Sequence, residues 1–315
     1  GLRRDVEAFM TELSPDVADE YRRHAEDLVR TAIRLLDDGA DQGQLRLVSR
    51  AVREIRHSWL LFNQYRGIRK VTIYGSARTP EDHSDYIAAK EFSALMAARD
   101  WMTITGAGDG IMKAGHEGPS RESIFGLRIR LPFETSANAV IEGDPKLVSF
   151  RYFFTRKLMF MAHADAVSVF PGGFGTMDEL FECLTLIQTG KSNVVPVVLL
   201  EGEGREYWED WLAFIREHLC DNGWISEEDF SLLHIASSPQ DACDHIRLFY
   251  RRYHSARYVG PTYVLRLVSP LSEKQVKILS SEFSDLVDGG EMRQCDALPG
   301  EVDHLDLPRL AFVHT

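Results

Sequence analysis

The chain has 315 residues, of which 44% are hydrophobic, enough to fill the core of one large α/β domain with smaller units attached. Its formal net charge of −12 argues against broad binding to nucleic acid or to an anionic membrane, since both need a basic surface, although a nucleotide can still be held locally. The four cysteines, Cys183, Cys220, Cys243 and Cys295, lie far apart without CxxC spacing, which suggests reduced thiols and neither a zinc knuckle nor a disulfide framework. No apolar run approaches the roughly 20 residues of a membrane span, and the stretch from Gly1 to Asp5 lacks a signal-peptide core, so the cytoplasm is the expected location.

From about Asp5 to Tyr65 the apolar residues recur at helical spacing. Leu28, Val29, Ile33, Leu35 and Leu36 form one run, and Leu47, Val48, Val52, Ile55, Leu60 and Leu61 another. Ser14-Pro15 and Asp37-Asp38-Gly39 are start and stop signals, so two or three helices are expected as an N-terminal cap, with a boundary at Gly67.

From Arg69 to about Tyr253 strands and helices alternate. Strands are expected at Val71–Tyr74, Trp101–Thr105, Ser123–Ile129, Ala166–Phe170, Pro196–Leu200 and Leu232–Ala236. Helices are expected at Ser84–Arg99, Asp109–Glu117, Phe150–His163, Thr176–Thr189, Tyr207–Leu219 and Asp241–Tyr253. This rhythm implies right-handed βαβ crossovers and a parallel sheet covered on both faces, with ligands at the carboxyl ends of its strands.

The tail from Pro261 reads as a small β-α-β-β unit: a strand at Tyr263–Val268, a helix from Ser272 to Leu286, and strands near Met292 and Leu310. The expected fold class is therefore α/β, a doubly wound, Rossmann-like parallel-sheet core at 68–257, with an N-terminal helical segment at 1–67 and a small C-terminal α+β module at 258–315.

Three strand ends carry the residues that a ligand would need. After the first strand comes Gly75-Ser76-Ala77-Arg78, where Ser76 can donate its hydroxyl to phosphate or ribose and Arg78 adds charge; a glycine-serine turn is also ordinary punctuation. After the second comes Gly106-Ala107-Gly108-Asp109-Gly110-Ile111-Met112, in which Ile111 stands where a dinucleotide fingerprint needs its third glycine, so a mononucleotide fits better.

The third is Pro171-Gly172-Gly173-Phe174-Gly175-Thr176-Met177-Asp178-Glu179, which joins an apolar strand to an amphipathic helix through three glycines. Glycines allow close approach of the backbone, and the unpaired amides at the start of a helix attract a phosphate. Glu179 then sits beyond that phosphate site. Thr176 and Glu179 also have capping-box spacing, which would give the carboxylate a purely structural role. Arg156 and Lys157 lie on an apolar helix with Leu158, Met159, Phe160 and Met161, an environment unlike that of solvated surface charges.

The string Pro-Gly-Gly-x-Gly-Thr-x-x-Glu from Pro171 to Glu179, preceded by Arg156-Lys157-x-Met159, resembles the LOG family of nucleotide 5′-monophosphate phosphoribohydrolases, long labelled lysine decarboxylases. The resemblance implies hydrolysis of the N-glycosidic bond of an AMP-like or cytokinin riboside 5′-monophosphate to the free base and ribose 5-phosphate. It implies Glu179 and Arg156 as catalytic residues, with Gly75, Ser76, Gly106, Gly108, Lys157, Gly172, Gly173, Gly175 and Thr176 binding the substrate. It also implies a homodimer or higher homo-oligomer, to which the methionine-rich helix at Phe150–His163 would contribute. Ala107 and Asp109 depart from the family pattern, standing where a glycine and a small residue are common. No metal or redox cofactor is expected, and neither nucleic acid nor membrane is expected as a partner.

A non-catalytic carrier of a nucleotide or phosphorylated cofactor, or a nucleotide sensor, would keep the glycine loops without needing the glutamate. Other motifs fall away. Gly190-Lys191-Ser192 follows a helix and has Thr185 where a Walker A loop needs its first glycine. Nothing identifies a Schiff-base lysine with an acidic partner for pyridoxal phosphate. His83, His116, His163 and His234 lack metal-ligand spacing and read as surface or structural residues.

Overall fold

The computed structural model describes residues 2–13, 19–132, 136–204 and 206–314, so the Ser14-Pro15 signal lies outside the described residues. The chain divides into two units, Gly1–Trp59 and Leu60–Thr315. Helices α1 (Leu2–Leu13), α2 (Asp19–Asp37) and α3 (Gln42–Phe62) make up the first, the last of them running on into the second unit. The stop at Asp37-Asp38-Gly39 is realised: Gly39 has φ +75° and Ala40 N–H donates to Leu35 O, the left-handed ending that glycine tolerates best. Asp41 and Gln44 then exchange side-chain-to-backbone hydrogen bonds of 2.9 Å each, satisfying free amides at the start of α3.

The second unit begins with β1 (Lys70–Tyr74), α4 (Ser84–Ala97), β2 (Met102–Thr105), α5 (Ile111–Glu117), β3 (Ile124–Ile129) and β4 (Leu147–Phe150). It continues with α6 (Phe153–His163), β5 (Ala166–Val169), α7 (Phe174–Gln188), β6 (Val197–Leu199), α8 (Tyr207–Ile215), β7 (Leu233–Ile235) and α9 (Pro239–Phe249). Among the described residues, seven strands pair in parallel in the order β4-β3-β2-β1-β5-β6-β7. Every residue of β1, β2 and β5 is buried, the result expected of strands covered by helices on both faces. Val71, Ile73, Phe92, Met96, Phe170, Val198 and Ile246 belong to one continuous core that joins sheet and helices. The strand order reverses between β1 and β5, and there the loops diverge to leave a crevice.

Two sequence expectations are corrected. Phe150 closes strand β4, and the helix assigned to Phe150–His163 starts only at Phe153. A short, largely apolar run such as Leu-Val-Ser-Phe fits either element, and pairing of Leu147–Phe150 with Gly126–Ile129 decides for strand. Helix α7 starts at Phe174, with Gly173 as its N-cap, where the sequence suggested Thr176.

The tail forms an antiparallel sheet in the order β10-β11-β9-β8, built from β8 (Tyr253–Val259), β9 (Thr262–Leu267), β10 (Arg293–Cys295) and β11 (Arg309–Val313), with α10 (Glu273–Glu282) beside it. β8 was not expected, since Tyr253 read as the end of a helix. A tight turn at Gly260-Pro261, with Gly260 at φ +60°, folds β8 back on β9 and gives it a partner. The module buries Leu267, Met292, Leu310 and Phe312, and the fully buried Glu301 carboxylate receives hydrogen bonds from Arg266 and Arg309. Among the described residues, no helix is long and apolar enough to cross a membrane.

Candidate active site

A cavity of about 530 Å³ opens at the carboxyl ends of β5, β1, β2 and β3, a size suited to a small molecule. Gly75, Ser76, Ala77 and Arg78 line it after β1, and Gly106, Ala107 and Gly108 after β2. Arg128 and Ile129 line it at the end of β3, Phe153, Arg156 and Phe160 from α6, and Gly173 to Thr176 with Glu179 from α7. Of the expected site residues, Gly172 and Lys157 do not line the cavity. Lys157 Nζ pairs instead with Asp178 at 2.9 Å and Glu182 at 2.5 Å.

The start of α7 owes its shape to Gly172. A Cβ at that position would overlap Thr176 Oγ1, so only glycine lets the turn close, and Tyr207 Oη donates to Gly172 O at 2.7 Å from outside. Met177 N–H makes the first intrahelical bond, 3.1 Å to Gly173 O, which leaves the preceding amides of Phe174, Gly175 and Thr176 at the positive end of a 15-residue helix. Neighbouring loops are tied to this turn: Ser76 N–H donates to Pro171 O at 3.1 Å, and Ile111 N–H to Ser76 O at 3.0 Å. The hydroxyl of Ser76 accepts from Arg78 N–H and keeps its own proton available to a ligand.

Because Gly173 is the N-cap, Thr176 lies inside the helix and the Thr176–Glu179 capping box does not form. Glu179 is 7% exposed and receives Arg156 Nη2 at 3.2 Å. The guanidinium sits over the rings of Phe153 and Phe160, at 5.2 and 5.5 Å from their centroids, which favours the cation. Burial pushes Glu179 up to about 7, with Arg156 and then Lys157 pulling the other way by less. Beside it the buried Tyr74 hydroxyl lacks a protein partner, and burial together with the charge of Glu179 holds its proton firmly.

The β2 loop is held under strain. Ala107 has φ +62°, a left-handed conformation costly for any residue but glycine, at the position where the sequence departs from a glycine pattern. Asn138 holds it: its amide N–H donates to Ala107 O at 2.8 Å and its side chain to Gly108 O at 2.9 Å. Ala107 N–H donates to Thr105 Oγ1, which contacts Nε2 of the buried His116 at 3.0 Å. Asn138 Nδ2 lies 3.2 Å from His116 Nδ1, which must accept, so the imidazole is neutral; burial lowers its pKa to about 4. Asn138, Arg128 and Tyr74 were not picked out in the sequence, because no short-range spacing marks them. Among the described residues, no cluster of three or more His, Cys, Asp or Glu side chains could hold a metal ion.

A family model described as "Possible lysine decarboxylase" matches residues 107–246, a span that includes Arg156 and the Pro171–Glu179 motif. The chain is 30% identical over 153 residues to a probable cytokinin riboside 5′-monophosphate phosphoribohydrolase of Oryza sativa subsp. japonica, covering 46% of this chain and 63% of the relative. It is 28% identical over 165 residues to a cytokinin riboside 5′-monophosphate phosphoribohydrolase of Arabidopsis thaliana, covering 50% and 72%. The chain thus spans less than two thirds of the first curated relatives it matches, 63% and 41% of their lengths. Among solved structures, a molybdenum cofactor binding protein from Rippkaea orientalis aligns at 18% identity with a TM-score of 0.40, over 57% of this chain and 94% of that one.

The raised pKa of Glu179 has a consequence for stability. The folded state binds its proton more tightly than the unfolded chain does, so this contribution is fully present below pH 4.5 and is lost as pH rises through about 7. Relative to Glu179→Gln, the wild-type protein should lose roughly 2 kcal/mol of unfolding free energy between pH 5 and pH 8. Denaturant titrations at several pH values measure this; parallel profiles for the two proteins would contradict it.

Proposed function

We propose that this chain, which belongs to the lysine decarboxylase-like (LOG) family, hydrolyses the N-glycosidic bond of nucleoside 5′-monophosphates to free base and ribose 5-phosphate. The observation that carries the reading is Glu179, a buried carboxylate facing the cavity behind a helix N-terminus suited to phosphate. Glu179 lies five residues beyond Phe174, a rise of about 7.5 Å, the scale of a ribose 5-phosphate.

In this reading the amides of Phe174 to Thr176, with Ser76 and Arg78, hold the 5′-phosphate. Cleavage passes through an oxocarbenium-like state at the anomeric carbon, and the ionised Glu179 stabilises that charge and accepts a proton from the attacking water. A carboxylate with a pKa near neutrality is suited to that exchange. The bonding pair of the C–N bond leaves with the base, which gains the proton that balances the reaction. Arg156 fixes the carboxylate and orients the sugar. The two curated relatives carry this activity in their names, which supports the reading.

The 5′-phosphate should be essential. Adenosine is expected to show a kcat/KM lower than that of AMP by about two orders of magnitude or more, the value of a helix-bound dianion. Comparable values for the two would remove the phosphate anchor.

Glu179→Gln removes charge while keeping volume. It should lower single-turnover base release by roughly two orders of magnitude or more with AMP still bound. Near-normal turnover in the folded variant would return Glu179 to a structural role.

A homodimer is part of the same proposal, because α6 leaves Phe153, Phe154 and Leu158 at 51%, 52% and 48% exposure beside the cavity. Light scattering at micromolar concentration should return at least twice the chain mass, and a monomer there would contradict it.

A further inference from the structure

We propose that Arg128 reads the base, and that the cavity therefore selects 6-oxopurine nucleotides, those of guanine and hypoxanthine, over adenine nucleotides. This rests on the phosphoribohydrolase reading for what fills the cavity. It concerns the end of the cavity farthest from the phosphate-type helix terminus.

The sheet sets the scale. α7 follows β5, and β3 lies three strands away through β1 and β2, about 14 Å at the usual strand spacing. A nucleotide with its phosphate on α7 and its sugar by Glu179 directs its base along the strand ends towards β3. Arg156 occupies the middle of that path, its Nη1 standing 3.8 Å from where a Cβ on Gly106 would be.

At the β3 end Arg128 is the charged side chain lining the cavity among the described residues, and the apolar Ile129 and Leu131 that follow it in the chain line the cavity too. It is held in place from behind: Nη2 donates to Ser149 Oγ at 3.1 Å, and Nη1 lies 3.8 Å from Glu142 Oε2, itself bonded to Ala137 N–H. These contacts leave several of its five N–H groups unused, and the Nε–H among them is buried without a hydrogen-bond partner.

A guanidinium has donors and no acceptor. Guanine and hypoxanthine present two acceptors on one edge, O6 and N7, which match a pair of parallel N–H donors. Adenine presents N7 beside an amino donor, so the second N–H would face another hydrogen. A site built to donate rejects a ligand that leaves its donors unpaired, and does so more strongly than an apolar pocket rejects a misfit. The same contact assists departure. As the C–N bond breaks, its electron pair moves onto the base, and a cation at O6 and N7 stabilises that charge until the proton from water arrives.

The test is base release from GMP, IMP and AMP by the wild-type protein, Arg128→Met and Arg128→Lys, with thermal melts to show that each variant folds. The wild type should favour GMP and IMP over AMP in kcat/KM by about tenfold or more. Arg128→Met should bring the ratio close to one, with most of the loss falling on GMP and IMP, and Arg128→Lys should keep part of it. Wild-type kcat/KM for AMP equal to or above that for GMP, or equal losses on all three nucleotides in Arg128→Met, would overturn the inference. If Arg128→Met does not fold, the wild-type ratio and Arg128→Lys decide.

Absence of turnover on every nucleotide would count against the hydrolase reading instead. Calorimetric dissociation constants for GMP and AMP then decide this one. Tighter GMP binding that Arg128→Met or Arg128→Lys weakens supports it, and equal binding or none overturns it.

Discussion

The site depends on one electrostatic constraint, a carboxylate withdrawn from water beside a guanidinium. Burial of Glu179 would by itself favour the neutral acid; Arg156 at 3.2 Å offsets part of that penalty and leaves the group near its balance point at neutral pH. Neither member could be removed cheaply, because each would leave the other buried without its counter-charge. The rings of Phe153 and Phe160 lie against the guanidinium, and the Tyr74 hydroxyl stands close by with no protein acceptor. Perturbed groups of this kind gather where chemistry is done, since a structural role would be met more simply by an apolar pair.

The fold supplies the positions. Reversal of strand order between β1 and β5 makes two neighbouring loops diverge, and backbone bonds from Ser76 to Pro171 and from Ile111 to Ser76 hold these two loops and the one after β2 in register. Gly110 shows how little freedom remains: it has φ +60°, and a Cβ there would overlap Ser76 O. Across the crevice Ala107 keeps a left-handed backbone although it is not glycine, stabilised by Asn138 and, through Thr105, by His116. The resulting cavity is lined by the start of α7, by the Glu179–Arg156 pair and by Arg128.

Local chemistry explains which parts could be read in advance. Glycines, alternating strands and helices, and the Pro171–Glu179 string act over a few residues, so the parallel sheet and the α7 loop were legible. The edge strand β4 was not, because Leu147–Phe150 acquires strand geometry only by pairing with β3. Nor was β8, which depends on β9 across the Gly260 turn. The capping box suggested by Thr176 and Glu179 failed for a similar reason: Gly172 packs against Thr176 and lets the helix begin earlier, at Phe174.

By itself the sequence determined that the chain builds a parallel α/β sheet, and it marked Glu179, Arg156 and the glycine loops as candidate site residues, because spacing along a strand or helix already specifies which groups share an end or a face. Only the tertiary structure decided how those residues are used. It separated Lys157 from the cavity by pairing it with Asp178 and Glu182, and brought in Arg128, Tyr74 and Asn138 from distant segments. It also raised the pKa of Glu179 by burying it. Desolvation and hydrogen-bond partnership depend on what packs around a group in three dimensions, and no local pattern along the chain encodes that.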